Sequence, residues 1–255
     1  VAVVTGPGGV LCSAFAKTLA PAGAKVALLD LNEEAAQSFA DEITAEGGVA
    51  KAYKCNVLDK AVCYEVADAV EKDFGKCDIL VNGAGGNNPR ATTSFFDLDA
   101  SGVEFVFNLN FLGTLIPTQA FARQMVGREG CNIINISSMN AYTPLTKIPA
   151  YSGAKAAISN FTQWLAVHFS KVGIRVNGVA PGFFSTKQNA ALLWNADCTP
   201  TARTGKILAA TPMGRFGESE ELDGALLFLL NNKAASFITG VVIPIDGGFS
   251  AYSGV

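Results

Sequence analysis

Short apolar runs alternate with longer segments of helical periodicity from one end of the chain to the other. Some of these runs, such as Ile79–Asn82 and Val241–Ile245, are apolar almost throughout, as parallel strands covered on both faces are. Such alternation predicts right-handed βαβ units and therefore an α/β fold with a doubly wound parallel sheet. The predicted strands are Val1–Thr5, Lys25–Asp30, Ala50–Asn56, Ile79–Asn82, Asn132–Ser137, Arg175–Ala180 and Val241–Ile245, and the clearest helices are Glu33–Glu46, Ala61–Phe74 and Ala154–Val172.

Composition predicts a single domain, residues 1–255, and argues against two classes of partner. No linker, charge block or shift in composition divides the sequence, of which 49% is hydrophobic. The net charge of −3, without a basic cluster, argues against a nucleic-acid surface. The longest apolar runs, such as Ala225–Leu230, are too short to span a bilayer.

The six cysteines are scattered, with no CxxC pair and no histidine-rich segment beside them. This pattern predicts buried free thiols in a reducing cytoplasm, and no metal site. Because the sequence begins with Val1 rather than methionine, we also expect that the natural N-terminus lies further upstream.

A glycine-rich turn, Thr5-Gly-Pro-Gly-Gly-Val-Leu-Cys12, lies between the first strand and the predicted helix Ser13–Leu19. Glycine lets the backbone approach a pyrophosphate, and the N-terminus of the helix favours its negative charge. Asp30 ends the second strand, where it could accept hydrogen bonds from the hydroxyls of an adenosine ribose. The alternative is that the glycines only make a tight turn and that Asp30 is a solvated carboxylate or a helix cap.

Tyr151 and Lys155 lie four residues apart at the start of a predicted helix, so their side chains share one face. A phenol is a poor acid–base catalyst at neutral pH, because its ordinary pKa is about 10. A nearby ammonium group stabilises the phenolate and lowers that pKa. Such a pair alone is common on helix surfaces, but here Ser138 follows a strand and precedes Tyr151 by 13 residues.

These motifs and the segments around them resemble the short-chain dehydrogenase/reductase family over the whole chain. The turn resembles its TGxxxGxG fingerprint, although Val10 and Cys12 stand where the family usually has glycine. Asn82-Gly-Ala-Gly85 resembles its NNAG motif, with Gly83 in place of the second asparagine, and Asn56-Val57 resembles its Asp-Val step beside the adenine. The other matching segments are Asn110-Phe-Leu-Gly113, Arg175-Val-Asn-Gly-Val-Ala-Pro-Gly182 followed by Thr186, and Ile245-Asp-Gly-Gly248.

The resemblance implies a Rossmann-type fold and a nicotinamide-dependent oxidoreductase that moves a hydride between a hydroxyl carbon and the nicotinamide. It implies that Tyr151 moves the hydroxyl proton while Ser138 hydrogen-bonds the substrate oxygen. It also implies that Lys155 holds the cofactor ribose and tunes Tyr151, and that Asn110 anchors a water that relays protons to Lys155. The implied cofactor contacts are Gly6, Gly8, Gly9, Val10, Leu11, Asp30, Asn56, Val57, Asn82, Gly83, Ala84, Tyr151, Lys155, Pro181, Gly182 and Thr186.

Asp30 also favours NAD over NADP. Its charge would repel a 2′-phosphate, and the adjacent Leu31 and Asn32 offer no cation to hold one. Gly9, where some NADP-using relatives carry a basic residue, is uncharged as well.

Four residues are candidates for the substrate side, namely Arg90, Asn140, Lys147 and Phe183. Amides and cations at a pocket mouth would suit a hydroxylated acid, whose carboxylate needs an Arg or Lys partner. The alternative is that these are solvated loop and turn residues. In the resembling family the stretch equivalent to residues 183–216 closes over the substrate as a lid.

The strings GGNNPRATT, MNAYTPLTKIPAYSGAK and HFSKVGIRVN resemble a subgroup of sugar-acid dehydrogenases, the D-mannonate oxidoreductases or fructuronate reductases. The same chemistry on gluconate, another polyol or a hydroxysteroid stays open, and so does a catalytically silent binding protein with this fold. The intact Ser138, Tyr151 and Lys155 argue against a catalytically silent protein.

The loop before Phe95 is shorter than in the resembling subgroup, so we expect a missing stretch near Thr93–Phe95. The alternative is a naturally short loop.

The family resemblance further implies a homotetramer, or at least a dimer, in which the helices Asn110–Val126 and Ala154–Val172 pair across a two-fold axis. Apolar side chains on those helices exceed what one core needs, and they are Phe107, Phe111, Phe121, Phe161 and Trp164. His168, the single histidine, is expected to pack at the surface or at this interface rather than to take part in catalysis.

Overall fold

The computed structural model describes residues 1–185 and 190–254 as one α/β domain built on a seven-stranded parallel sheet. The strands lie in the order β3-β2-β1-β4-β5-β6-β7, so the chain first winds outward from β1 to β3 and then outward in the opposite direction from β4 to β7. The doubly wound sheet predicted from the sequence is therefore confirmed. The strands are β1 Ala2–Thr5, β2 Lys25–Asp30, β3 Val49–Lys54, β4 Ile79–Asn82, β5 Cys131–Ile136, β6 Ile174–Pro181 and β7 Val242–Ile245.

Helices cover both faces of the sheet. The helices α1, α2 and α9 pack on one face, and α3, α5 and α6 on the other. Their bounds, with those of the helices outside the two layers, are α1 Val10–Leu19, α2 Glu33–Ala45, α3 Lys60–Phe74, α4 Ala100–Phe107, α5 Gly113–Met125, α6 Pro149–Phe169, α7 Ala190–Leu193, α8 Ala202–Ala210 and α9 Asp223–Leu230.

The alternation of side chains along each strand explains why both faces of the sheet are apolar. In β2, Val26 and Leu28 belong to the core under α1 and α2, whereas Ala27 and Leu29 belong to the core under α3 and α5. All four side chains are fully buried. Because successive side chains of a strand point to opposite faces, a strand covered on both sides must be apolar at every position.

The helix that carries Tyr151 and Lys155 begins earlier than predicted. We expected Ala154–Val172 from periodicity, and α6 spans Pro149–Phe169. Proline at the first helical position explains the start, because it has no N–H to leave unpaired and its φ is already helical. Beyond Phe169 the chain turns at Gly173, whose φ of +85° suits glycine.

The direction of winding reverses between β1 and β4, and their carboxyl ends open a crevice there. The segment predicted as a lid, residues 183–216, contains α7 and α8, and Leu193, Ile207 and Phe216 form a small apolar cluster of its own. All six cysteines are free, and five of them are buried. Within the described residues, no helix is long and apolar enough to cross a membrane, and no three His, Cys, Asp or Glu side chains group as metal ligands would.

Candidate active site

A cleft of about 740 Å³ lies along the carboxyl ends of the central strands. It runs from Asp30 at the end of β2, across the glycine-rich turn, to Tyr151 and Lys155 on α6. Most of the predicted site residues line it: Gly6, Gly8, Gly9, Val10, Leu11, Asp30, Asn56, Val57, Gly83, Ala84, Ser138, Tyr151, Lys155, Pro181 and Gly182. The cleft walls therefore bring together residues that lie up to 176 positions apart in the chain.

Hydrogen bonds to neighbouring strands and loops fix the glycine-rich turn. Gly6 has a φ of +71° and donates its N–H to the carbonyl of Leu29, 2.9 Å away. The Thr5 hydroxyl oxygen accepts from the N–H groups of Gly83 and Ala84, at 3.0 and 3.1 Å. A Cβ on Gly6 would lie 2.8 Å from the Ala84 Cα, so the turn and the loop after β4 meet too closely for any side chain there.

The N-terminus of α1 fits an anionic group in this cleft. The helices α2 and α3 are capped by the side chains of Asn32 and Asp59, but no described side chain caps α1, whose N-cap is Gly9. The first N–H groups of a helix have no intrahelical acceptor. Those of α1 lie at the wall of the cleft. There the N–H groups and the positive end of the helix dipole favour a pyrophosphate.

Asp30 supports the turn and faces the cleft at the same time. Its Oδ2 accepts from Gly8 N at 2.9 Å, and its Oδ1 accepts from Asn32 N at 2.9 Å. Each carboxylate oxygen keeps a second lone pair, with which it can accept from a ribose hydroxyl.

Lys54 corrects our expectation that no basic residue neighbours Asp30. Leu31 and Asn32, which follow Asp30 in the chain, carry no charge. Lys54 lies opposite Asp30 in the β2–β3 register, and the two side chains line one side pocket with Glu33 and Glu34. Among the described ion pairs within 4.0 Å there is none between Lys54 and Asp30.

Two departures from the family pattern touch each other in space. Cys12 stands where the TGxxxGxG fingerprint has its last glycine, and Gly83 stands where the NNAG motif has its second asparagine. A Cβ on Gly83 would lie 2.1 Å from the Cys12 Sγ, so the thiol fills the space that a side chain at position 83 would need. The larger residue at one position is thus matched by the smaller one at the other.

Tyr151 and Lys155 meet at the inner end of the cleft, where burial decides their protonation. The Lys155 Nζ lies 5.5 Å from the centre of the Tyr151 ring and donates to the carbonyl of Ile136 at 2.8 Å. Burial lowers the pKa of Lys155 to about 8. Burial raises the pKa of Tyr151 to about 12, and a hydrogen bond with Ser138 opposes this rise.

This geometry differs from the expectation that Lys155 lowers the pKa of Tyr151. The ammonium group is turned to the carbonyl of Ile136 at the end of β5, and the opposing effect on the phenol comes from Ser138 instead. The pKa of Tyr151 therefore lies above its ordinary value in this arrangement.

Asn110 lies beneath the cleft, in a π-helical turn over Asn108–Leu112 between α4 and α5. It is fully buried, and its Nδ2 donates to the carbonyls of Gly86 and Val106 at 2.8 and 2.7 Å. A Cβ on Gly85 would lie 2.6 Å from the Asn110 Oδ1 and 3.3 Å from the Lys155 Nζ, so both side chains reach the same small space. The structure thus brings Asn110 next to Lys155.

Asn82 is not a cleft residue, contrary to our expectation. Its Nδ2 donates to the Thr118 hydroxyl at 2.8 Å and to Asn135 Oδ1 at 2.9 Å, which turns the amide into the core. Thr186, also predicted to contact the cofactor, lies outside the described residues.

The four substrate candidates do not line the cleft either. Arg90 is largely exposed and lies 3.9 Å from the carboxylate of Asp99, and Lys147 is exposed in the loop before α6. Asn140 is buried beside Ser138, to which it donates a hydrogen bond. Phe183 lines a separate pocket of about 350 Å³ with Gly248 and other residues of the β6 and β7 ends.

Several cleft residues that carry no motif of their own were not predicted from the sequence. Most lie at the carboxyl ends of strands, in the segments that follow them or in the π turn, and Ala35 lies on α2, so only their place in the fold brings them to the cleft. They are Leu29, Ala35, Cys55, Gly86, Leu109, Ile136 and Ser137.

An aromatic groove lies between α5 and α6, on the side away from the cleft. Phe161 stacks on Trp164, and Trp164 stacks on His168 with 4.7 Å between the ring centres. Trp164 is 56% exposed, in line with the expected surplus of apolar surface. Phe121 does not contribute, because it is fully buried under the sheet. His168 lies in this groove rather than in the cleft, as expected.

Comparison with known proteins establishes the class. The family model described as "Enoyl-(Acyl carrier protein) reductase" matches residues 10–250. The chain belongs to the short-chain dehydrogenase/reductase family, and with the cleft described above it is a nicotinamide-dependent oxidoreductase.

The relatives are similar over nearly their whole length. An uncharacterized oxidoreductase of Haemophilus influenzae is 64% identical over 99% of this chain and 94% of its own. The uncharacterized oxidoreductase UxuB of Bacillus subtilis is 50% identical over 100% of this chain and 96% of its own. A crystal structure from Haemophilus influenza with bound NAD, provisionally described as a D-mannonate oxidoreductase, is 64% identical and superposes with a TM-score of 0.97 over 100% of this chain and 96% of that one.

Two of the more distant relatives are gluconate 5-dehydrogenases, and one of them is in complex with NADP. A gluconate 5-dehydrogenase of Gluconobacter oxydans is 34% identical over 98% of this chain and 94% of its own. A gluconate 5-dehydrogenase from Burkholderia cenocepacia, in complex with NADP and tartrate, is 31% identical, with a TM-score of 0.88 over 98% of this chain and 95% of that one.

The alignment with the Haemophilus influenzae oxidoreductase spans 267 positions, whereas this chain has 255 residues, so at least 12 positions of the relative have no counterpart here. In this chain the loop at Thr93 is closed by a hydrogen bond from its hydroxyl to the Asp97 carbonyl at 3.0 Å. A missing stretch near Thr93–Phe95 stays a prediction.

Proposed function

We propose that this protein is an NAD-dependent dehydrogenase that interconverts a secondary alcohol and a ketone on a sugar acid of the D-mannonate/D-fructuronate type. The observation that carries the proposal is the meeting of Ser138, Tyr151 and Lys155 at the inner end of the cleft, opposite the glycine-rich turn. The subgroup is supported by the 64% identity to the NAD-bound Haemophilus influenza structure.

The roles that we propose for the side chains are those that the family resemblance implies. A bound nicotinamide dinucleotide supplies the hydride acceptor or donor. Ser138 hydrogen-bonds the substrate oxygen, and Tyr151 gives a proton to it in reduction or takes one from it in oxidation. Lys155 holds the cofactor ribose, and Asn110, which is hydrogen-bonded to Gly86, anchors a water that relays protons to Lys155. Leu109, Ile136 and Val57 form apolar parts of the cleft wall.

The choice of NAD rests on Asp30. Its carboxylate is already fixed by Gly8 and Asn32, so it cannot swing away from a 2′-phosphate without loosening the turn. Glu33 and Glu34, in the first turn of α2, add negative charge to the same side pocket. Comparable kcat/KM values with NAD and NADP would contradict this choice. Asp30→Ala with Leu31→Arg should reverse it.

We assign the substrate carboxylate to Lys147, which does not line the cleft in this structure but lies in the loop that leads into α6, four residues before Tyr151. No ion-pair partner is described for it, whereas Arg90 has Asp99 nearby. Lys147→Ala should raise KM for D-mannonate about tenfold or more, because a charge-assisted hydrogen bond is lost. It should leave KM for D-mannitol, which has no carboxylate, within about twofold. Lys72→Ala, on the exposed side of α3, is the matched control.

A substrate panel tests the proposal directly. Formation of NADH is followed with D-mannonate, D-gluconate, D-mannitol and a 7α-hydroxy bile acid, and we expect the highest kcat/KM with D-mannonate. D-gluconate is the second candidate, because two gluconate 5-dehydrogenases are among the relatives. Turnover of the bile acid alone would overturn the sugar-acid assignment. Tight NAD binding without turnover of any substrate would favour a silent binding protein.

Assembly and location complete the proposal. The aromatic groove of Phe111, Phe161, Trp164 and His168 is the surface through which we propose that two copies pair, within a dimer or tetramer. Sedimentation at micromolar concentration would contradict this if it gave a monomer.

Residues 183–216 act as the substrate lid. Protection of this segment from proteolysis by NAD and substrate tests that role. The cytoplasmic location predicted from the sequence is tested by fractionation.

A further inference from the structure

The side chain of Asn140 reaches the site from beneath, through Ser138. Its Nδ2 donates to the Ser138 Oγ at 3.1 Å, and its backbone N–H donates to the same oxygen at 3.3 Å. Its Oδ1 accepts from the backbone N–H of Leu145 at 3.3 Å. Because Leu145 N can only donate, the amide oxygen must face Leu145 and the amide nitrogen must face Ser138. The orientation of the amide is therefore fixed.

That orientation determines where the Ser138 proton points. A hydroxyl oxygen has two lone pairs and one hydrogen, and both lone pairs are occupied by donors from Asn140. The hydrogen is left for the Tyr151 phenol, with which Ser138 forms a hydrogen bond. We propose that Asn140 is a positioning residue that holds the Ser138 hydroxyl as a donor toward the Tyr151 oxygen and the substrate oxygen.

This inference rests on the proposed function and changes the role of Asn140. We expected Asn140 to contact the substrate, but it is buried and does not line the cleft. A hydrogen-bond donor aimed at the phenol stabilises its ionised form and so lowers its pKa, which opposes the effect of burial. Without the Asn140 amide the Ser138 oxygen keeps only the backbone donor of residue 140. The hydroxyl then has more freedom to rotate, and Tyr151 loses this stabilisation for part of the time.

The alanine variant of Asn140, with a matched control, tests the proposal. Asn140→Ala should lower kcat about tenfold, the effect of one well-placed hydrogen bond, while KM for the sugar acid changes less than about twofold. The rise of kcat for oxidation with pH, which follows the ionisation of Tyr151, should move to higher pH. Asn231→Ala is the control, because Asn231 also accepts from backbone N–H groups but lies far from the cleft, at the end of α9.

A double-mutant cycle separates positioning from general structure. In a Ser138→Ala background, Asn140→Ala should lower kcat by less than about twofold further, because Asn140 acts through Ser138. The same tenfold loss in both backgrounds would overturn the proposal. So would a raised KM with unchanged kcat, which is the result expected of a substrate contact.

Asn140→Asp serves if the alanine variant folds poorly, because it keeps the shape. Its carboxylate would accept the Ser138 proton and turn the hydroxyl away from Tyr151, so kcat should fall at neutral pH and recover as pH is lowered and the carboxyl becomes a donor. A profile identical to that of the wild type would overturn the proposal.

A second measurement serves if the wild type turns over no sugar acid. Titration of the tyrosinate absorbance of each variant against its Tyr151→Phe counterpart measures the pKa of Tyr151 without turnover. A higher Tyr151 pKa in Asn140→Ala would then support positioning, and an unchanged one would refute it.

Discussion

The contact between Cys12 and Gly83 makes a quantitative prediction about the exchange of large and small residues beside the cofactor cleft. In Gly83→Ala the new methyl group would lie 2.1 Å from the Cys12 Sγ and 2.9 Å from the Thr5 carbonyl oxygen. Ordinary contacts of a Cβ begin at about 3.4 Å, so the overlap with sulfur is more than 1 Å. Cys12 is 5% exposed, and overpacking of this kind destabilises a protein by about 1–3 kcal/mol.

Removing the sulfur should relieve most of this strain. Cys12→Gly alone should cost about 1–2 kcal/mol, because it places glycine inside α1 and opens a small cavity. In the double variant the closest contact that remains is the Thr5 oxygen. We therefore expect the pair to be more stable than the sum of the single changes predicts, by about 1 kcal/mol or more.

The assay is urea unfolding of the four proteins, combined with NAD titration. If the sulfur escapes by rotating into the cleft, Gly83→Ala weakens NAD binding instead of stability, and Cys12→Gly restores binding. Gly224→Ala is the control, since a Cβ there meets nothing within 4 Å. Additive single changes in both stability and NAD affinity would refute the reasoning.

Three further predictions concern the catalytic and cofactor groups. Tyr151→Phe should lower kcat by orders of magnitude and leave the Kd for NAD nearly unchanged, as measured by steady-state kinetics and titration. Lys155→Met should lower kcat and weaken NAD binding. It should nevertheless raise the free energy of unfolding near pH 7 by about 1–2 kcal/mol. Removal of the buried charge contributes roughly 3 kcal/mol, and loss of the hydrogen bond to Ile136 takes away about 1 kcal/mol. Because the pKa of Lys155 is about 8 when folded and 10.5 is its ordinary value, this advantage should fade between pH 8 and 10.5; urea midpoints that stay apart there would contradict the sign. Asp30→Ala should shift the NAD/NADP ratio of kcat/KM toward NADP about tenfold or more, because it removes the carboxylate at the ribose while Lys54 stays in the side pocket. Lys54→Ala in that background should reverse part of the shift.

The sheet could be predicted because its strands are apolar on both faces and short. The bounds of β2 and β4 are as predicted, and β3 ends two residues early because the chain turns at Asn56, whose carbonyl accepts from Asp59 N. Helix α4 and the π turn after it were not predicted, since their residues show no simple period. The glycine-rich turn and Asp30 could be placed because parallel strands bring their carboxyl ends to one edge.

The remaining features of the site depend on proximity across the fold. Lys54 neighbours Asp30 only through the β2–β3 register, and Cys12 meets Gly83 only because β1 and β4 are adjacent. Asn82 follows the family motif, yet its amide is needed inside by Thr118 and Asn135. Such pairings are properties of the folded chain, and no local pattern encodes them.

The π turn over Asn108–Leu112 has a consequence for how this helix tolerates insertions and deletions. Gly113 N donates to the carbonyl of Asn108, five residues back, so this stretch holds one residue more than an α-helix of the same length would. Deleting Leu109 would allow α4 and α5 to join as one regular helix with a complete hydrogen-bond ladder. The flanking turns would keep their mutual orientation, because the remaining residues cover the same length of helix at the α-helical repeat. The deletion would therefore leave Phe121 in the core and act within the turn, where it would displace Asn110 relative to Lys155. The extra residue is thus required by the cleft rather than by the core.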